Sequence, residues 1–190
     1  MDYAKMRAIA EELLQHTPDT VQAIEIGGRD LVMMMSPSRP HELIAMRLRR
    51  QFDRQLAEGL VAHTGGEVED PAIGRLRRPD LIVVPEETFA EATTAPFNPR
   101  DLELVAEVVS PSNHANDYGH KMQDYPAMGI PLYLLVDPRK GTVAVMSDPG
   151  TDLGGEPRYR ARHDYVFGDT VAVGPWTINT AELPRYRPAE

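Results

Sequence analysis

"LELVAEVVSPS", residues Leu102 to Ser112, sets one acid inside an apolar run. Its apolar residues are dense enough for a buried strand over Leu102 to Val109, yet Glu107 stands inside it between Ala106 and Val108. An isolated buried carboxylate is too costly to keep, so Glu107 must be neutralised, paired with a cation or bound to a metal. Strand alternation puts it on the face of Val105 and Val109, away from Leu104 and Val108.

Working outward, "SPSNHAND" reads as a loop, after which Asn116 or Asp117 caps a helix running to about Met128. Gly129 and Pro131 stop it, and Pro126 inside it removes one backbone hydrogen bond. Tyr118, Met122 and Tyr125 form the apolar stripe of this helix. Lys121 lies on that same side, so its ammonium faces the sheet or snorkels past it. "LYLLVDP" is a strand, and "KGTVAVMSD" pairs with it through a tight turn. Upstream, Asp80 opens a strand, "DLIVV", and "TFAEATTAPFNPRD" reads as a loop.

The N-terminal part predicts a helix over Tyr3 to His16, then a β-hairpin in "VQAIEIGGRDLVMMMSP" around Gly27-Gly28. A second helix follows in "HELIAMRLRRQFDRQLAEG", with Leu43, Ile44, Met46, Leu48, Phe52 and Leu56 at helical spacing and Gly59 as its end. "PRYRARHDYVFGDTVAVGPWTINT" predicts further short antiparallel strands. Strands, then a helix, then strands again give an α/β domain with a mixed sheet. One domain is expected over residues 1–190: an N-terminal helical segment at 1–18, a core at about 21–148 and C-terminal strands at about 157–180.

The 190 residues suffice for a domain with a real core, and the absence of cysteine excludes disulfides and thiolate chemistry. No apolar run approaches the length of a membrane span, and the polar N-terminus lacks a signal-peptide core, so a soluble cytoplasmic protein is expected. The net charge of −9 is awkward for a nucleic-acid binder. "MRLRRQFDR" and "IGRLRRP" are local basic clusters whose plain reading is a solvated helix face and a polar hairpin arm.

Two carboxylates and a lysine converging on one spot suit phosphodiester hydrolysis. Mg²⁺ takes one or two protein carboxylates and keeps waters and substrate oxygens as its other ligands. It polarises the phosphoryl group and supplies a nucleophilic hydroxide, while a nearby lysine orients water and offsets developing charge. "RRPDLIVVPEE", "LELVAEVVSPSN" and "NDYGHKMQDYPAMGIPLYLLVDP" together resemble the Uma-two family, a bacterial group within the PD-(D/E)XK nuclease superfamily. "EIGGRDLVMMMSPSRPH" is similar to the family's N-terminal portion, so the likeness runs from about Glu25 to the final strands.

The resemblance implies a restriction-endonuclease-like fold with a central mixed sheet flanked by helices, and a Mg²⁺-dependent endonuclease for which Mn²⁺ can substitute. It implies Asp80 and Glu107 as metal ligands. Val109 stands where the superfamily lysine would be, and Lys121 on the following helix takes that role. Glu25 resembles an additional acidic member of the catalytic set, and His41 matches a residue of the pocket. DNA is the expected substrate ahead of RNA, no membrane is involved, and a homodimer is compatible with cutting both strands.

Plain structural readings stand beside these. Asp80 fits a turn residue, Glu107 a partner of Arg77 or Arg78, Lys121 a snorkelling lysine and Glu25 the surface of a hairpin. His41, His114 and His120 match no zinc spacing; His114 reads as a loop residue and His120 as an exposed helix residue. Met33 to Met35 read as core and strand face. Ser110 and Ser112 read as loop and cap, with no histidine–acid pair placed to activate either. The rival to an enzyme is a catalytically silent module that keeps the nuclease fold and binds nucleic acid or protein.

Overall fold

The computed structural model describes residues 2–28, 30–90, 93–111 and 116–186. The predicted N-terminal helix is α1 (Tyr3–His16), and the hairpin is β1 (Val21–Gly27) with β2 (Asp30–Met35). After α2 (Arg39–Asp53) come β3 (Leu60–His63), β4 (Val68–Asp70), β5 (Arg75–Arg77), β6 (Leu81–Pro85) and β7 (Leu104–Val108). A π-helical turn, Asn116–His120, runs directly into α3 (Lys121–Ala127). The chain ends in β8 (Leu132–Asp137), β9 (Thr142–Thr151), β10 (Pro157–Val166), β11 (Thr170–Val173) and β12 (Trp176–Asn179). Ser112 and His114 lie outside the described residues.

The central sheet has six strands in the order β10-β9-β8-β7-β6-β3. It is mixed: β7 and β8 are parallel, and the other pairings are antiparallel. The parallel pair needs a crossover, which the π-helical turn and α3 supply. One face carries Leu81, Val83, Leu104, Ala106 and Leu134 against Ile44, Leu48 and Phe52 of α2 and the β11–β12 hairpin. The other carries Ile82, Val84, Val105, Val109 and Leu135 against Tyr125 and Met128 of α3. A second sheet, β2-β1-β5-β4, packs its own apolar side on Met6 and Ala10 of α1.

The second helix differs from its expected form. It ends at Asp53, not at Gly59, because the Phe52 carbonyl is taken by the N–H groups of both Gln55 and Leu56. The Gln55 side chain then leaves for the backbone of Thr177. Gly59 serves the turn into β3 with a φ of 86°. The buried face is also rotated: His41, Ala45 and Gln51 lie inside, while Leu43 and Met46 are exposed. Gln51 tolerates burial because its amide bonds the backbone of Asn179 in both directions. The methionine run is not core: Met33 and Met35 are 50% and 58% exposed on an edge strand.

Phe52 meets Trp176 edge-on at a ring separation of 5.6 Å. Phe52→Ala should cost about 3 to 5 kcal/mol in urea unfolding, the usual toll for emptying a buried aromatic site. The emission of Trp176, the sole tryptophan, should shift to longer wavelength in the folded variant. A cost under about 1 kcal/mol would show that α2 does not anchor the C-terminal hairpin.

Candidate active site

The register of β6 and β7 sets the centre of the site. Leu81 pairs with Ala106, so the same antiparallel ladder carried one step further puts Asp80 opposite Glu107. Directly opposed residues point to one face, here the α3 face. Asp80 Oδ2 accepts the N–H of Val108 at 2.7 Å, which ties the start of β6 to the end of β7. Both acids line a cleft of about 700 Å³ whose walls include His41, Arg78, Asp117 and Lys121.

Lys121 does not snorkel to water, for it is 1% exposed. Its Nζ lies 2.8 Å from Glu107 Oε1, 3.3 Å from Asp117 Oδ1 and 3.5 Å from Glu25 Oε1. Burial works against its charge, and these carboxylates with Asp80 outweigh that, so its pKa is held well above the usual lysine value. Tyr125, from the same helix, donates its hydroxyl to Glu107 Oε1.

The carboxylates divide by their partners. Burial pushes Glu25 up, but Lys121, Arg77, the Arg78 N–H and Asn116 together pull it below its usual value. Glu107 goes the other way: burial raises it well above normal, Lys121 opposes, and Asp80, Asp117 and Glu25 add repulsion. Asp117 is raised from 3.8 to about 6 by burial, against the pull of Lys121. Asp80 is lowered: His41, Lys121 and the Val108 N–H outweigh burial.

Several expectations need correction. Glu25 is not on the hairpin surface; it is fully buried, with Arg77 at 3.0 Å, the Arg78 N–H at 3.0 Å and Asn116 at 2.9 Å. Arg77 is not the partner of Glu107; it is spent on Glu25 and on Asp124, which Arg75 also holds. Asp117 is not a helix cap. It sits inside the π-helical turn, and its carboxylate faces Lys121 four residues on. His120 is exposed, as expected.

Sequence reasoning placed His41 in the pocket but missed what it does there. Its Nε2 lies 3.1 Å from Asp80 Oδ2, while its buried Nδ1 has no hydrogen-bond partner among the described residues. Burial would lower its pKa, yet the hydrogen bond and charge of Asp80 raise it. Nothing in "SRPHELI" announces a partner nearly forty positions on; only the packing of α2 across the sheet end does. Met33 to Met35 also line the cleft, with Met33 and Met35 exposed at its rim.

The central mixed sheet with helices on both faces matches a nuclease-type fold. A solved structure described as a putative nuclease belonging to DUF820, from Anabaena variabilis, superposes with a TM-score of 0.66 at 16% identity, covering 92% of this chain and 96% of that one. The family model Uma2, described as "Putative restriction endonuclease", matches residues 10–177, and the chain belongs to that family. No curated protein matches it. No helix among the described residues is long and apolar enough to cross a membrane.

The raised Asp117 gives a pH signature. The folded chain holds this proton more tightly than the unfolded one, so stability is lost as pH rises from about 4, the unfolded value, to about 6. Asp117→Asn removes that loss. The melting temperature of the variant minus that of wild type, without metal, should grow between about pH 4 and 6 and level off above. A pH-independent difference would assign Asp117 an ordinary pKa.

Proposed function

We propose that the chain is a divalent-cation-dependent endonuclease, with Asp80 and Glu107 as the carboxylates that hold the cation. The supporting observation is an imbalance of charge in the cleft wall: Glu107 and Asp117 share one ammonium, Lys121, which also reaches Glu25 behind it. Among the described residues, no group of three His, Asp or Glu side chains forms a cage for a metal. Mg²⁺ takes one or two protein carboxylates and retains waters, and Asp80 with Glu107 would supply that number. Among the described residues, the hydrogen-bonding contacts of the two acids fall on one oxygen each, Oδ2 of Asp80 and Oε1 of Glu107.

A bound Mg²⁺ would supply Lewis-acid polarisation of the phosphoryl group and a water of lowered pKa. The chain's own residues do the rest. Asp80 is held in place by His41 and the Val108 N–H, and Glu107 by Tyr125. The longest of the three Lys121 contacts, 3.5 Å, goes to Glu25, which Arg77, Arg78 and Asn116 already satisfy. In this reading Lys121, which lines the cleft beside Glu107, orients the attacking water. Glu25 therefore assists by fixing Lys121, with no contact to substrate. DNA remains the preferred substrate in this reading.

Mn²⁺ should raise the melting temperature of wild type by mass action. Glu107→Gln should abolish most of that rise while the apo protein stays folded, because Gln keeps the shape and loses the charge. An unchanged response in the variant would point to adventitious surface binding.

Lys121→Met separates an enzyme from a silent module that keeps the fold. It should lower the melting temperature of the apo protein, because Glu107 and Asp117 lose their cation, yet leave the rise produced by Mn²⁺ largely intact and cut hydrolysis of supercoiled DNA by roughly two to three orders of magnitude. Equal cleavage by wild type, Lys121→Met and Glu107→Gln would indicate a contaminant and remove the mechanism.

A further inference from the structure

The cleft wall at Thr64 and Gly65 follows directly on His63, the last residue of β3. The His63 ring meets Phe89 edge-on at 5.1 Å and Phe97 at 6.1 Å, and the two phenyl rings lie 5.3 Å apart. Phe89 is nevertheless 45% exposed. A ring braced by two others yet open to water offers a stacking face at the margin of the cleft.

The two basic stretches of the sequence meet at this cluster. Arg49 comes from "MRLRRQFDR" on α2 and Arg78 from "IGRLRRP" just ahead of Asp80. Arg49 sits on α2, which packs against β3, and Arg78 lies beside Gly65 in the cleft wall; burial first, then the charges of both, push the His63 ring below the usual histidine pKa. Arg78 lines the cleft and donates to the Gln22 carbonyl at 3.3 Å; among the described residues it pairs with no carboxylate. Gly65 lets it lie close: a side chain there would begin 3.4 Å from the guanidinium, at a φ of +81° that L residues avoid. Arg49 has an exposed 3.6 Å pair with Asp53, a contact of little strength in water.

The remaining cations of the cleft are spent. Lys121 is enclosed by carboxylates and His41 is bound to Asp80. With a net charge of −9 and Arg49 and Arg78 as the guanidiniums placed beside this cluster, the margin of the cleft suits a short contact rather than a long grip on duplex backbone. It can hold a strand whose bases are exposed, because every base has a face to stack and stacking needs no charge. The inference rests on the cleft being a phosphodiester-cleaving site. We propose that Phe89, braced by His63 and Phe97 and flanked by Arg49 and Arg78, is the seat of a single nucleic-acid strand leading into the cleft. One base stacks on Phe89, and the neighbouring phosphates sit on the two guanidiniums.

Fluorescence anisotropy in EDTA, where no cleavage occurs, tests this with a short single-stranded DNA, the matching RNA and the DNA duplex of that sequence. Both single strands should bind more tightly than the duplex. Phe89→Ala should weaken them roughly tenfold, and Phe89→Trp should bind as wild type does, since either change leaves an exposed position with little effect on melting temperature. Arg49→Gln and Arg78→Gln should each make the plot of log affinity against log salt shallower by about 0.7. Tighter duplex binding, no binding of any probe by wild type, or unchanged affinity and slope in the variants would overturn the proposal. If those results came with an intact Mn²⁺ response, the strand seat alone would fall. Strand binding that depends on Phe89, in a protein that ignores Mn²⁺, would keep the seat and overturn the metal reading.

Discussion

An ammonium group sealed from water holds this molecule together. Taking a lysine out of solvent costs several kcal/mol, and only close anionic partners offset it. Lys121 finds them on three separate elements: Glu107 on β7, Glu25 on β1 and Asp117 in the π-helical turn. Glu25 in turn needs Arg77, and Arg77 needs Asp124 on α3. The smaller sheet is thus joined to the crossover helix by charge where the larger sheet is joined to it by apolar packing. Loss of any one member leaves another buried and unpaired, the costly case.

Around that network the fold works as a positioning frame. Antiparallel pairing of β6 with β7 delivers Asp80 opposite Glu107, and the parallel pairing of β7 with β8 obliges the chain to cross over through α3. The crossover carries Lys121 and Tyr125 onto the face where Glu107 points. From the other side of the sheet, α2 contributes His41 at its end. The acids are consequently fixed by backbone register and by hydrogen bonds from three directions, which is what a site needs to hold its geometry before a ligand arrives.

Alternation in "LVAEVV" placed Glu107 with Val105 and Val109, and the structure puts it on that face. The stripe of Tyr118, Met122 and Tyr125 aimed Lys121 inward for the same reason: local periodicity controls direction when an element has one buried side. Where both sides are buried, periodicity is silent. In β1, Ala23, Ile24, Glu25 and Ile26 are all buried, so Glu25 leaves no alternating trace, and its main partner stands 52 residues away. Hydrophobicity misled in the opposite sense at Met33, Met35 and Met46, apolar residues that stay exposed. Asp117 looked like a cap because caps are a local pattern, whereas its ion pair depends on a π-helical turn that composition does not encode.

The interlocked charges also bear on how such a chain can change over time. Lys121, Glu25, Arg77 and Asp124 are tied into one circuit, so a substitution at one of them is penalised by folding whether or not the cleft cuts anything. Descendants that abandoned catalysis would be held to the same side chains for the sake of solubility alone, and could shed them only through several simultaneous replacements by apolar residues of matching volume. Asp80 is under weaker restraint. It lies at the cleft wall, 23% exposed, outside the circuit, so drift in a lineage released from cutting would surface there first.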